Sequence, residues 1–118
     1  MTIAPARRGI ATYYPGKRQE PLTFNLTSEG WRVLKAVQER TIRSRSDIFT
    51  HLVTLHGSKT NYYGSYPGKA PKVCTINLTA RSWKTLKSKI RTTKRSRGDI
   101  LEHLLRTYGL ALEFKQKT

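Results

Sequence analysis

Shifted by 52 residues, the chain registers on itself without a gap from Tyr14 against Tyr66 to Gly57 against Gly109, and 20 of the 44 aligned positions are identical. The identities include Tyr14-Pro-Gly-Lys17 with Tyr66-Pro-Gly-Lys69, Asn25-Leu-Thr27 with Asn77-Leu-Thr79, Trp31 with Trp83, Arg43-Ser-Arg45 with Arg95-Ser-Arg97, Asp47-Ile48 with Asp99-Ile100 and His51-Leu52 with His103-Leu104. Chance gives only a few such matches, so the chain is a duplication. Two copies are too few for a solenoid, and a pseudo-symmetric pair is the simplest architecture.

Each copy reads as strand, helix, helix. Leu22-Thr-Phe-Asn-Leu-Thr27 and Cys74-Thr-Ile-Asn-Leu-Thr79 alternate apolar and polar residues with period two, the pattern of a half-buried strand. Thr27 or Ser28 can cap a first helix whose apolar stripe is Trp31, Leu34 and Val37, matched by Trp83, Leu86 and Ile90, and whose end is expected near Thr41 and Thr93. Ser44 and Ser96, each followed three residues later by an Asp, have the form of a capping box opening a second helix. Gly57 and Gly109 suit the position just past its end, where φ is positive.

These signals divide the chain into a basic arm over 1–20, a first copy over 21–57, a Tyr/Gly/Pro linker over 58–72, a second copy over 73–109 and a tail over 110–118. One strand with two short helices is below the size at which a core normally suffices, and a lone strand leaves its backbone groups unpaired. The two strands are therefore expected to pair antiparallel in a single α+β domain, mainly helical, with the order β-α-α-linker-β-α-α. The linker makes that pairing intramolecular, so the expected state is a monomer that can associate further on its ligand.

Composition narrows the function. With 23 Lys and Arg against 7 Asp and Glu the net charge is +16, which attracts polyanions; nucleic acid is the commonest inside a cell, and an anionic membrane surface would attract such a chain as well. No apolar run approaches the roughly 18 residues of a spanning helix. A single cysteine, Cys74, excludes an internal disulfide and a multi-cysteine zinc site, and the N-terminus lacks the apolar core of a signal peptide, so an intracellular location is expected. No phosphate-loop motif, nucleophile and base pairing or carboxylate cluster suggests an enzyme, and no metal or cofactor is implied.

The alternating strand, the helix opened by Thr-Ser or Thr-Ala, and the second helix opened by Ser-Arg-Ser-Asp-Ile or Ser-Arg-Gly-Asp-Ile resemble the ribbon-helix-helix DNA-binding domain of the MetJ/Arc class. That family usually works as a homodimer. Here two copies are fused, an arrangement also found among relaxosome accessory proteins, and the resemblance covers about residues 21–57 and 73–109. It implies a ribbon inserted in the major groove of double-stranded DNA. The outward residues reading base edges would then be Thr23, Asn25, Thr75 and Asn77. Asn can bond adenine bidentately, and Thr can donate, accept or pack its methyl on thymine. Ordinary solvent-facing strand positions would look the same.

The resemblance further implies that the second helix's start clamps the DNA backbone through Arg43, Ser44, Arg45 and Ser46 and through Arg95, Ser96, Arg97 and Gly98. Free N–H groups and the dipole there suit phosphate, and the alternative is a solvated basic turn. Tyr14 and Lys17, with Tyr66 and Lys69, lie outside the family pattern and read equally as extra DNA contacts or as rigid lead-ins. Trp31 and Trp83 are expected in the core, and His51 and His103 at its edge. Residues 22–57 carry net +2 and residues 73–109 net +7, which suggests an asymmetric DNA site or a second ligand surface.

The leading expectation is a sequence-specific, nucleoid-associated transcriptional regulator. A DNA-organising accessory factor such as a relaxosome component is the nearest alternative. A different class, RNA or single-strand binding, would stack bases on Tyr13, Tyr14, Tyr62, Tyr63 and Tyr66. An antitoxin ranks lower, because the tail is short.

Overall fold

The computed structural model describes residues 13–14, 21–66, 69 and 71–114. Its elements are β1 (Leu22–Leu26), α1 (Ser28–Thr41), α2 (Arg45–Leu52), β2 (Lys72–Ile76), α3 (Ala80–Thr93) and α4 (Arg97–Tyr108). A single wide helical turn, Val53–Gly57, follows α2, and a tight one, Gly109–Ala111, follows α4. The class is mixed α+β, as expected.

The two strands pair antiparallel, Leu22 with Ile76, Thr23 with Thr75, Phe24 with Cys74, Asn25 with Val73 and Leu26 with Lys72. This register places Thr23 opposite its own repeat equivalent, and the two hydroxyls are 3.2 Å apart. Leu22, Phe24, Leu26, Cys74, Ile76 and Leu78 turn inward and are buried against Leu34, Val37, Ile48, Phe49, Leu52, Leu86, Leu101, Leu104 and Leu105. An isolated two-stranded ribbon is marginal in water. Here the four helices cover one of its faces and leave the other exposed.

The order departs from a plain repeat in the strands. β2 starts at Lys72, inside the segment expected to be linker and two residues before the expected Cys74. Just past its end, the Asn77 N–H donates to Ser46 Oγ, at 2.9 Å. β2 thus extends toward Lys72 and ends at Ile76.

Helix starts follow the sequence signals. Thr27 Oγ1 accepts from Gly30 N at 3.0 Å, Thr79 Oγ1 from Ser82 N at 3.3 Å, and Ser44 and Ser96 accept from Asp47 N and Asp99 N, both at 3.1 Å. Each hydroxyl satisfies one of the N–H groups that a helix start leaves without an internal partner.

Helix ends correct the glycine expectation. The left-handed residues are Ile42 (φ 57°) and Lys94 (φ 63°), at the C-caps of α1 and α3, whereas Gly109 has a right-handed φ of −62°. Gly57 and Gly109 serve close packing instead. A Cβ on Gly57 would lie 3.2 Å from Thr85 of α3, and one on Gly109 3.2 Å from Val37 of α1.

The halves interlock unequally. Glu102 of α4 is buried and accepts from Thr27 N (3.0 Å), from Thr27 Oγ1 and from Arg106 Nε (2.8 Å). It thus caps α1 from the other half. A Cβ on Gly30 would sit 2.6 Å from this carboxylate, so only glycine leaves room for it. At the equivalent place in the other half stand Thr50, Thr54 and Ser82, where Thr54 Oγ1 and Ser82 Oγ lie 3.3 Å apart.

Residues expected to form a tail also pack on the first half. Leu112 is buried, Arg40 Nη2 donates to the Leu112 carbonyl, and Phe114 stacks on His51 with centroids 4.3 Å apart.

Candidate nucleic-acid interface

The open face of the ribbon follows from strand alternation. With Leu22, Phe24 and Leu26 turned into the core, Thr23 and Asn25 are exposed, as is Thr75; Asn77, just past the end of β2, is half-buried. The early start of β2 adds a residue that the sequence pattern missed. Val73 lies cross-strand from Asn25 and is 60% exposed on the same face. Its outward setting was hidden because a strand counted from Cys74 leaves it one residue outside the alternating run. An exposed aliphatic side chain beside an amide can pack a thymine methyl while the amide bonds an adenine edge.

The starts of α2 and α4 flank this face. Ser46 donates or accepts next to the strand: its Oγ takes the Asn77 N–H, and a hydroxyl that accepts still has a proton to give. Gly98, its counterpart, comes so close to β1 that a Cβ there would be 3.0 Å from the Asn25 carbonyl. The two helix starts are thereby fixed against opposite ends of the ribbon, with their N–H groups and positive dipole ends at that level.

The arginines expected to act as clamps differ in placement. Arg97 is exposed and Arg45 half-buried, its guanidinium 5.9 Å from the Trp31 ring centre. Arg43 instead lies over the rings of Tyr13 and Phe114, at 5.1 and 5.4 Å. Arg95 is half-buried, and its buried Nε has no hydrogen-bond partner among the described residues. The structure therefore brings Ser44, Arg45 and Ser46, with Ser96, Arg97 and Gly98, to the ribbon flank and directs Arg43 into an aromatic cluster.

The tyrosines that open the two Tyr-Pro-Gly-Lys repeats have partners within the chain. Tyr14 Oη bonds His51 Nδ1, and Tyr66 Oη lies 3.4 Å from His103 Nδ1, so the same tyrosine meets the same histidine in both copies. His51 Nε2 lies 2.8 Å from the Glu113 carbonyl. A carbonyl only accepts, so Nε2 carries the proton and the neutral ring accepts the Tyr14 hydroxyl at Nδ1. Burial lowers the pKa of His51 and of His103, and raises those of Tyr14 and Tyr66. Lys69 is exposed, and Lys17 falls outside the described residues.

The loop tyrosines stack largely on their own chain. Tyr62 lies on His103 with centroids 4.3 Å apart, and on Tyr66 at 5.3 Å. Arg106 lies 4.2 Å from the Tyr66 ring centre. Tyr63 is 62% exposed. Trp31 and Trp83 pack half-buried at the core edge, each under a lysine one turn on, Lys35 and Lys87.

No group of three or more His, Cys, Asp or Glu among the described residues could hold a metal ion, and no helix there is long and apolar enough to cross a membrane. Comparison with protein-family models, with curated proteins and with solved structures found no match.

Proposed function

We propose that the chain is a tandem ribbon-helix-helix protein that binds double-stranded DNA in a sequence-dependent way, with the exposed face of the β1–β2 ribbon in the major groove. The observation that carries the reading is a polar, exposed strand pair bracketed by two helix starts on a chain of net charge +16. A major groove of about 12 Å admits a two-stranded ribbon, and the flanking phosphates would then meet the helix starts at Ser44 and Ser96. Thr23, Asn25, Val73, Thr75 and Asn77 read bases on this account. Arg45 and Arg97 hold the backbone. The role is that of a transcriptional regulator or of an accessory factor organising DNA for another machine.

Single-strand binding through the loop tyrosines is the less supported reading, because Tyr62 already stacks on both His103 and Tyr66. Selection of bound duplexes from a random pool, followed by a salt titration on the best one, tests the proposal. A preferred site and a log–log slope of about −5 to −9, the value for 6–10 neutralised phosphates, are expected. Preference for single strands, or a nearly flat salt response, would overturn it.

A further inference from the structure

The outer faces of the two equivalent helices α1 and α3 differ in charge, one balanced and the other wholly cationic. On α1 the positions are Glu29, Arg32, Lys35 and Glu39, followed by Ile42 at the cap; on α3 and its cap they are Arg81, Lys84, Lys87, Arg91 and Lys94. Two acids and an isoleucine are thus cations in the second copy. On α1, Arg32 is paired with Glu29. The five α3 cations are exposed, and none forms an ion pair with an acid among the described residues.

The fold sets where this stripe lies. α3 starts at Ala80, four residues beyond the end of β2 at Ile76, and its far end leads through Lys94 to Ser96 and the α4 start, where Gly98 abuts the Asn25 carbonyl of β1. Both ends of α3 are therefore tied to the level of the ribbon. Arg81 to Lys94 spans 13 residues, about 20 Å of helix. Uncompensated cations on a basic chain cost self-repulsion, which a polyanion alongside removes.

We propose that this face of α3 binds the phosphodiester backbone of the same duplex beyond the ribbon's own footprint, on the second half's side only. This rests on the duplex-binding reading above. At 3.4 Å per phosphate along a strand, the stripe covers roughly six base pairs. The bound duplex is then contacted asymmetrically, with a long flank beside α3 and a short one beside α1.

The test uses the full chain and its selected duplex, shortened by six base pairs from either end, with three proteins: wild type, a variant carrying Lys84→Gln, Lys87→Gln, Arg91→Gln and Lys94→Gln, and a control carrying Arg32→Gln and Lys35→Gln. Wild type is expected to lose at least tenfold in affinity from one truncation and little from the other. The α3 variant should lose this asymmetry and flatten its salt slope by about 3–4, near 0.9 per contact, while its thermal melt stays within a few degrees. The α1 control should keep the asymmetry. Equal sensitivity to both truncations, or an α3 variant with wild-type slope, would overturn this inference and leave the ribbon reading standing. An α3 variant that keeps the flank asymmetry would also overturn it. Absence of any duplex binding by wild type would overturn both.

Discussion

His56 and Tyr108 stack face to face, with ring centroids 3.7 Å apart and planes 4° from parallel, at positions separated by the 52 residues of the repeat. A residue that touches its own equivalent lies on the local two-fold relating the copies. Thr23 and Thr75 meet in the same way at the ribbon. The relation thus runs from the ribbon through the core to the far ends of α2 and α4. Both contacts lie within one chain, so the protein is expected to sediment as a monomer at micromolar concentration. An obligate dimer, with strands paired only between chains, would contradict this.

Reading and clamping should separate by mutation. Asn25→Ala or Asn77→Ala should cost about 1–3 kcal/mol on the preferred duplex and little on scrambled DNA, each relaxing preference in one half-site. Arg97→Ala should weaken both duplexes alike, because phosphate contacts carry little sequence information. Val73→Ser should lower preference for thymine beside the half-site read by Asn25. Parallel titrations of preferred and scrambled duplex decide the matter, and equal losses on both for the Asn variants would remove the ribbon as the reading element.

Stability should fall as pH drops from about 7.5 to 5.5. Burial is the leading cause that depresses the pKa values of His51, His56 and His103. The unfolded chain therefore takes up protons first, near the ordinary value of about 6.5, and protonation favours unfolding until the folded histidines titrate as well. For His51, nearby Arg43 and His56 act in the same direction, while the Glu113 carbonyl and Asp47 oppose it. Urea midpoints across this range should shift less in His51→Gln than in wild type; an unchanged pH dependence would exclude His51 as a contributor.

Ile42 holds a left-handed backbone at φ 57° while 56% exposed. A β-branched residue there costs on the order of 1–3 kcal/mol, and little buried surface is at stake. Ile42→Gly should therefore raise stability by about 0.5–1 kcal/mol, the strain relief less the added freedom of the unfolded chain. A lower urea midpoint would show that Ile42 contributes more by packing than it loses by strain.

Gly30→Ser should destabilise by about 1–3 kcal/mol, since its side chain would enter the space of the Glu102 carboxylate. Combining it with Glu102→Thr and Arg106→Thr copies the hydroxyl arrangement of the other half and should recover part of the loss. Chemical denaturation of the single and triple variants measures that coupling, and additive losses would show that the two arrangements are not exchangeable.

Local signals carried much of the fold. The period-two run of Leu22, Phe24 and Leu26 identified the buried face of β1, and Ser44 and Ser96 marked helix starts to the residue. What stayed hidden depends on distant groups. The start of β2, and with it Val73, is set by pairing with Leu26. The glycines at 57 and 109 look like end caps until Thr85 and Val37 come against them. Arg43 reads as a clamp beside its Ser44 cap, yet Tyr13 and Phe114, from opposite ends of the chain, gather it into their own cluster.

The carboxylate of Glu102 fitted over Gly30 gives the molecule a head and a tail. Joining two first halves would leave the hollow at Gly30 facing Thr50, and joining two second halves would drive Glu102 against Ser82. At this contact each half complements the other and not itself. A symmetric homodimer looks the same from both directions along a duplex, but this chain does not, so on the proposed duplex-binding reading anything docking beside it would meet a different surface upstream than downstream.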